Sequence, residues 1–264
     1  SDRIGKIMER VGLEEGQELE HPMLNHSIGS AQKRVEGHNF QIRKRTLEYD
    51  DVMNKQRCVV YEFRNEIIRA DNVHDRLMEV IEEVILQKVE EFAYSDKEPE
   101  EWNIRGLADW GNLTFPIGIP EEDLEKAAES RDKEPPADSL YDGFNAAQYG
   151  LCVAITNAVK EAYEIKASVE EPESLTAIER YLILAAIDQK WQEHLYEIDS
   201  LRTSIGLRAY GQRDPLIEFK SEAFRVFDEM MVAIKTEICH NVFLGHSSRE
   251  ALERFRLRIA NRGN

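Results

Sequence analysis

The sequence predicts an elongated, all-α chain with a long scaffold helix, an antiparallel helical hairpin and a small, loop-rich helical wing. One observation is an apolar repeat of three and four residues from about Leu24 to Ala70, as on a helix with one apolar face. A second is a pair of later periodic segments on either side of a short glycine-flanked loop, which is the pattern of a helical hairpin. A third is the cluster of prolines and glycines between Pro99 and Pro136, which predicts loops and short helices.

The predicted scaffold helix covers about Leu24 to Ala70, where Gly29 and Gly37 are the only glycines and no proline occurs. Its apolar positions are Ile28, Ala31, Val35, Ile42, Tyr49, Val52, Val59 and Phe63. At about 1.5 Å per residue, such a helix would be roughly 70 Å long. One small core cannot cover that length, so we expect several other units to pack against it.

The wing region begins with Asp71-Asn72, which predicts a break and an N-cap for a helix from Val73 to about Phe92. The apolar stripe of that helix is Leu77, Val80, Ile81, Val84, Ile85 and Val89. Residues 95–140 are predicted to form loops and short helices. A helical pattern returns at about 144–166, with Ala147, Leu151, Ile155, Val159 and Tyr163 on its stripe.

The predicted hairpin follows a linker, Glu170 to Ser174, and starts with a capping box of Thr176 and Glu179. Its first helix has an apolar face of Leu184, Ile187, Trp191, Leu195, Ile198 and Leu201. Asp214-Pro215 predicts the N-cap and first turn of its second helix. That helix has a face of Phe224, Phe227, Met231, Ile234 and Ile238. Residues after about Gly245 are basic, and we expect them to be loosely held.

Charge and cysteine usage exclude several classes of function. The net charge is −17, and residues 96–175 hold 7 Lys/Arg against 19 Asp/Glu, a net of 7 − 19 = −12. Because a strongly acidic chain repels nucleic acid, we expect no nucleic-acid partner. Cys239-His240 lacks the second ligand pair that zinc needs, so we expect no metal site and a buried cysteine. No apolar run reaches the ~20 residues of a membrane span, and the start at Ser1 predicts an internal piece of a longer protein.

No catalytic motif is present. The spacing of Gly206 and Gly211 resembles a phosphate loop, but Gln212-Arg213 replaces its Lys-Ser/Thr pair and a helix precedes it instead of a strand. Asp50-Asp51 point about 100° apart on a helix and cannot converge on one substrate atom. Glu193-His194 is interpreted as a packed, hydrogen-bonded pair. We therefore expect no catalytic centre in this chain.

The loop between the two hairpin helices is basic and contains one tyrosine. No acidic residue lies between Asp199 and Asp214. The candidate contact residues are Tyr210, Leu207, Arg208, Arg213 and Arg202, and Gly206 and Gly211 are candidate hinges. An aromatic ring among guanidinium groups can contact varied peptide or anionic surfaces. The alternative, which the residues leave equally open, is a solvated turn that packs on its own helices.

Two long motifs, in this order, resemble the SecA family, the ATP-driven motors of bacterial preprotein export. The runs similar to the start of the family's helical scaffold are HPM at 21–23, AQKRVE at 31–36 and NFQIRKRTLEYDDVM at 39–53. The runs similar to its two-helix finger are AIDQKWQEHL at 186–195, DSLR at 199–202 and LRAYGQRDP at 207–215. The likeness covers nearly the whole chain and is weakest in the acidic segment.

The resemblance implies a domain order. Residues 1–22 would be the tail of the second nucleotide-binding domain, 23–70 the long scaffold helix, 71–175 the helical wing, 176–240 the two-helix finger and 241–264 a C-terminal linker. The family's phosphate loop, magnesium-binding acidic motif and arginine finger would lie upstream, so ATP and magnesium belong to the parent protein. This fragment is not expected to hydrolyse ATP. The cysteine cluster of the family's zinc tail has no match here.

The resemblance also implies partners and a location. The finger tip, with Tyr210 at the matching position and Leu207, Arg208 and Arg213 around it, would contact preproteins at the mouth of the SecYEG channel. Further partners would be the upstream motor domains, an anionic membrane surface and a second copy in a homodimer. The protein would lie in the cytoplasm and peripherally on the cytoplasmic face of the inner membrane. The alternative is a structural helical adaptor or dimerisation module without a translocation role.

Overall fold

A computed structural model describes residues 22–94, 98–129, 134–137, 139–208 and 214–262. The side chains of residues 22–24, 206–208 and 262 lie outside the description. Within the described ranges the chain is helical and contains no strand, which confirms the all-α class. Internal contacts divide the chain into two units, Ser1–Asn54 and Lys55–Asn264, which are described separately.

The described residues form eight α-helices and one short 3₁₀ turn. The α-helices are α1 (Pro22–Arg69), α2 (Val73–Phe92), α3 (Ile104–Thr114), α4 (Glu121–Glu129), α5 (Ala146–Ala167), α6 (Pro172–Arg208), α7 (Pro215–Asn241) and α8 (Arg249–Arg262). The 3₁₀ turn is Pro99–Glu101. The long scaffold helix is thus present as one helical element.

The part of α1 that lies in the first unit leaves several residues of its predicted apolar stripe exposed. Ile28, Val35 and Ile42 are exposed. Apolar periodicity predicts a helix with an apolar face, but it does not say what covers that face.

The part of α1 that belongs to the second unit contributes to a core. Val60 is 1 % exposed and Ile67 is fully buried, whereas Val59 of the predicted stripe is 46 % exposed. The buried face is therefore shifted by one residue from the predicted one at this position.

Helix α2 lies at the centre of the second unit and packs against α3, α5, α6 and α7. The Asn72 side chain accepts a hydrogen bond from the Asp75 backbone N–H, which confirms the predicted N-cap. All six predicted stripe residues of α2 are buried, as are the five of α5. Helix α5 begins with a capping box that the sequence reading missed, between Asn145 and Gln148.

The loops and short helices predicted for residues 95–140 are present in the described parts of that segment. The Trp102 indole N–H donates to the carbonyl of Tyr94 at 2.9 Å. Asn112 forms two hydrogen bonds of 2.8 Å with the backbone of Ile119, one as donor and one as acceptor. Side-chain bonds to backbone groups thus help to organise the loops beside the short helices of this segment.

The hairpin helices α6 and α7 pack along each other, but α6 begins earlier than predicted. It starts at Pro172, inside the segment interpreted as a linker. The predicted capping box is wrong because Thr176 lies within the helix, where its hydroxyl donates to the carbonyl of Pro172, and because Glu179 is buried. A proline suits the first turn of a helix, where its missing N–H would have no partner anyway.

The buried face of the hairpin is offset from the predicted one. Leu195 is 39 % exposed, while its neighbour His194 is 1 % exposed. Phe224 is 73 % exposed, while Ala223 is fully buried. The sequence reading placed the larger apolar residue inward at both positions, but a hydrogen-bonded histidine and a close helix contact select the neighbouring residue.

The C-terminal residues are not loosely held within the described range. Helix α8 packs on α5 and buries Ala251 and Phe255. The Phe255 ring stacks on Phe243, with centroids 6.1 Å apart and an interplanar angle of 16°. The expectation of a loose tail was wrong because two apolar residues four positions apart suffice to anchor one face of this basic helix.

Candidate functional site

The hairpin tip contains most of the residues predicted to contact a partner. Arg202 is exposed on α6, and the backbone of Gly206, Leu207 and Arg208 forms the last turn of that helix. The helix therefore continues through the candidate hinge Gly206. Tyr210, Gly211 and Arg213, which were also predicted, lie outside the described residues. Their assignment and that of the two hinges stay predictions.

Beyond the tip, the second hairpin helix starts as predicted. The Asp214 carboxylate accepts a hydrogen bond of 2.9 Å from the Leu216 backbone N–H, and Pro215 occupies the first helical position. This cap fixes where the chain re-enters a helix.

The scaffold helix is bonded to both arms of the hairpin. The Gln56 side-chain amide donates to the carbonyl of Ala223 on α7 at 2.9 Å, and its oxygen lies 3.0 Å from Nε2 of His194 on α6. Two turns further along α1, the Arg64 guanidinium forms a two-pronged ion pair with Asp188 on α6, at 2.8 and 3.2 Å. The Gln56 contacts are buried, whereas the ion pair is largely exposed.

His194 occupies an aromatic pocket within the hairpin. Its ring centroid lies 5.5 Å from that of Trp191 and 5.7 Å from that of Phe227. Burial lowers the pKa of His194 to about 4, so the ring is neutral near pH 7. The predicted pairing with Glu193 is wrong, because Glu193 is exposed and instead accepts hydrogen bonds from Gln189 and Lys190.

A second polar cluster lies where α2, α5 and α6 meet. One oxygen of the Glu179 carboxylate accepts a hydrogen bond from the Tyr163 hydroxyl and lies 2.9 Å from Nδ1 of His74. The hydrogen bond with Glu179 raises the pKa of His74. Burial, followed by the bond with Glu179, raises the pKa of Tyr163. The three side chains thus connect the wing helices to the start of the hairpin.

A third cluster lies between the end of α5 and the segment that follows α7. The fully buried ammonium of Lys166 donates to the carbonyl of Val242. The Glu170 carboxylate accepts from the Ser247 hydroxyl and lies 2.8 Å from Nδ1 of His246. These bonds attach the far end of the hairpin to the wing.

Burial dominates the ionisation of Lys166, whereas hydrogen bonds dominate that of Glu170. Desolvation lowers the pKa of Lys166 to about 8, although Glu170 and Glu179 act in the opposite direction. Burial alone would raise the pKa of Glu170, but the hydrogen bonds from Ser247 and His246 outweigh it and the pKa lies below its usual value. Holding the Lys166 ammonium inside the protein costs stability, because its desolvation outweighs the attraction of the two carboxylates.

The sequence reading missed Gln56, Lys166 and Glu170. Lys166 offered a signal, because it continues the apolar stripe of α5 three residues after Tyr163. A lysine at such a position is either bonded inside the protein or reaches the surface along its stem. Gln56 and Glu170 offered none, since their partners lie far away in the sequence.

The clusters described above connect helices through side-chain hydrogen bonds and ion pairs. Within the described residues, no group of three or more His, Cys, Asp or Glu side chains is arranged to hold a metal ion. In the same residues, no helix combines the length and apolarity required to cross a membrane. The buried thiols of Cys152 and Cys239 have pKa values raised by burial to about 12, so neither is an activated nucleophile.

The fold is an all-α module in which a scaffold helix is hydrogen-bonded to both helices of a hairpin. This arrangement defines a class of helical scaffold-and-wing proteins. The family model for the SecA Wing and Scaffold domain matches residues 18–246. The chain belongs to this family.

Individual relatives agree with this family. The chain is 38 % identical over 238 residues to "Protein translocase subunit SecA" of Carboxydothermus hydrogenoformans, covering 90 % of the chain and 25 % of the relative. It is 38 % identical over 243 residues to the protein of the same name from Halothermothrix orenii, covering 92 % and 26 %. For the protein of Leptospira interrogans the identity is 36 % over 244 residues, covering 92 % and 25 %. The chain thus spans about a quarter of the length of the curated relatives that it matches.

Proposed function

We propose that this chain is the scaffold-and-wing part of a protein translocase motor and that it couples ATP hydrolysis elsewhere in the protein to movement of a preprotein through the SecYEG channel. The observation that carries the proposal is the attachment of α1 to both hairpin helices through Gln56. A displacement of that part of α1 would be passed to the hairpin as a whole. The relatives, which are named as protein translocase subunits, support the same role.

In this proposal the hairpin tip is the part that meets the polypeptide. Tyr210 would supply an aromatic contact that does not depend on the sequence of the preprotein, and Arg202, Leu207, Arg208 and Arg213 would supply cationic and apolar contacts around it. Side-chain chemistry of this kind tolerates varied partners because neither stacking nor a guanidinium charge requires one particular sequence. Gly206 and Gly211 would give the backbone of the tip the flexibility to adjust to the polypeptide that it contacts.

The remaining parts of the proposal concern the motor as a whole. ATP and magnesium would bind in upstream nucleotide-binding domains, and this segment alone would have no ATPase activity. The motor would lie in the cytoplasm and bind peripherally to the anionic cytoplasmic face of the inner membrane, next to the channel.

Replacing Tyr210 with alanine in the full-length translocase tests the role of the tip. We expect transport of a preprotein into channel-containing membrane vesicles to fall, because the contact that engages the chain would be lost. The matched control is Tyr196→Ala, which removes a tyrosine that is 72 % exposed on α6 away from the tip. Equal transport by the Tyr210 variant and the wild type would contradict the tip assignment.

A second candidate function is a helical adaptor or dimerisation module. The observation that favours it is the row of exposed apolar side chains on the first part of α1, which includes Ile28, Val35, Phe40 and Leu47. Light scattering of the 264-residue chain separates the two candidates. A tight dimer that has no affinity for channel vesicles or preprotein would favour the adaptor.

A further inference from the structure

Gln56 connects three helices with one side chain. It is 7 % exposed, and its amide group bonds the backbone of α7 at Ala223 and the imidazole of His194 on α6. The partners are 167 and 138 residues away in the sequence. The contact therefore forms only when scaffold helix and hairpin are correctly assembled.

The chemistry of the partners fixes the direction of both hydrogen bonds. The carbonyl of Ala223 can only accept, so the amide nitrogen of Gln56 must face it and the amide oxygen must face His194. That oxygen also only accepts, so Nε2 of His194 carries the proton. A neutral imidazole has a single N–H, which leaves Nδ1 of His194 without a proton. Nδ1 is buried and has no hydrogen-bond partner among the described residues.

The two hydrogen bonds of Gln56 restrict the positions of the helices more tightly than apolar packing does. Apolar side chains tolerate small sliding movements because their attraction has no preferred direction. Hydrogen bonds weaken steeply when their angle or length changes, and a slide of one helix by one residue moves its groups by about 1.5 Å. Two bonds from one side chain to two helices therefore hold both helices at one axial position against α1. Nδ1 of His194 is buried without a hydrogen bond. Burial of this polar atom therefore costs stability instead of adding to it.

We propose that Gln56 is the positioning residue that fixes the axial register of both hairpin helices on the scaffold helix, so that they move with it as one unit. The inference rests on the proposed function for its consequence in transport, but the register itself is a property of the fold. Arg64 and Asp188 do not replace this role, because their ion pair reaches α6 alone and is largely exposed to water.

The first test measures how firmly both hairpin helices are held in the 264-residue chain, by amide hydrogen exchange. Gln56→Met keeps the size of the side chain but removes both hydrogen bonds. We expect amide hydrogen exchange in α6 around His194 and in α7 around Ala223 to become about tenfold faster, which corresponds to about 1.4 kcal/mol. The matched control is Gln148→Met, because Gln148 is also buried and its amide donates to a backbone carbonyl, that of Ala93, within the wing. Unchanged exchange in either hairpin helix of the Gln56 variant would overturn the proposal.

The second test measures coupling in the full-length translocase as preprotein transported per ATP hydrolysed. A merely structural role would lower both rates in proportion and leave this ratio unchanged. We expect Gln56→Met to lower the ratio about tenfold if the exchange effect is transmitted in full, and Gln148→Met to leave it at the wild-type value. An unchanged ratio for Gln56→Met, or an equal fall for both variants, would refute the positioning role.

The two tests also separate this inference from the proposed function. If Tyr210→Ala impairs transport while Gln56→Met alters neither exchange nor ratio, only the positioning role fails. If Gln56→Met changes exchange in both helices but the wild-type protein transports nothing, the register stands and the translocase role fails. Should Gln56→Met not fold, Gln56→Glu preserves an acceptor for His194 and replaces the donor to Ala223 with a second acceptor oxygen. It should then accelerate exchange in α7 more than in α6, and equal exchange in both helices would count against the proposal.

Discussion

Replacing Lys166 with methionine should remove a rise in folding stability that the wild-type chain shows between about pH 8 and pH 10. The Lys166 side chain is fully buried, and desolvation lowers its pKa from 10.5 to about 8. In the unfolded chain the lysine keeps its proton up to about pH 10.5. Between these values the unfolded state binds more protons than the folded state, so stability increases with pH.

The magnitude follows from the gap between the two pKa values of Lys166. A gap from 10.5 to about 8 corresponds to about 3 kcal/mol that the folded state gains as the ammonium loses its proton. At pH 7 the wild type carries this cost in full. We therefore expect Lys166→Met to be more stable than the wild type at pH 7 by about 1 to 2 kcal/mol, since loss of the bond to Val242 offsets part of the gain.

The assay is urea unfolding of both proteins, followed by far-UV circular dichroism at several pH values from 7 to about 10. The buried thiols and Tyr163 also titrate in the alkaline range, but they are common to both proteins, so the difference between the two stability curves isolates Lys166. Lys160→Met is the control, because it removes a lysine that pairs with Glu82 at the surface, where an ion pair contributes little to stability. A constant difference between wild type and Lys166→Met across the range would refute the reasoning.

Two further predictions concern buried titratable groups. His194 has a folded pKa of about 4 against an ordinary value of 6.5, so wild-type stability should fall by about 3 kcal/mol as pH decreases from about 6.5 to about 4. His194→Asn should lack that fall in urea unfolding, and an equal fall in both proteins would contradict the burial argument. Cys58 is exposed whereas Cys152 and Cys239 are buried, so a thiol reagent should label one cysteine in the folded chain and all three in denaturant. Rapid labelling of Cys152 or Cys239 without denaturant would show that the wing or hairpin core is open.

Local signals in the sequence were sufficient for most helix positions and for several helix ends. Asn72 and the Asp214-Pro215 pair were recognised because a cap depends on residues within three positions of each other. Thr176 and Glu179 have the same kind of spacing but were misread. Glu179 bonds Tyr163 and His74 instead, and those partners are 16 and 105 residues away. A local pattern predicts a local bond only when no distant partner competes for the same carboxylate.

The buried face of the hairpin could not be read from hydrophobicity alone. His194 and Leu195 are adjacent, and the apolar one was placed inside. In the structure His194 is buried and Leu195 is partly exposed. The hydrogen bond with Gln56 compensates for the loss of water around the imidazole in a pocket of aromatic rings. The same limit applies to the candidate site. The tip was found from composition, while Gln56, Lys166 and Glu170 became visible only when helices distant in sequence were brought together.

Buried polar contacts attach the hairpin at several separate levels. One is the Gln56 contact with His194 and Ala223. Another is Glu179 with Tyr163 and His74, and a third is the attachment of Val242 and His246, which follow α7, to Lys166 and Glu170. Apolar residues of similar volume at these positions would bury the same surface without an unpaired imidazole nitrogen or a desolvated ammonium, so greater stability is not the reason for the polar choice. Directional bonds at two points along a rod fix both its axial position and its inclination, which one point cannot do. We infer that the polar residues favour a single seating of the hairpin over maximal stability.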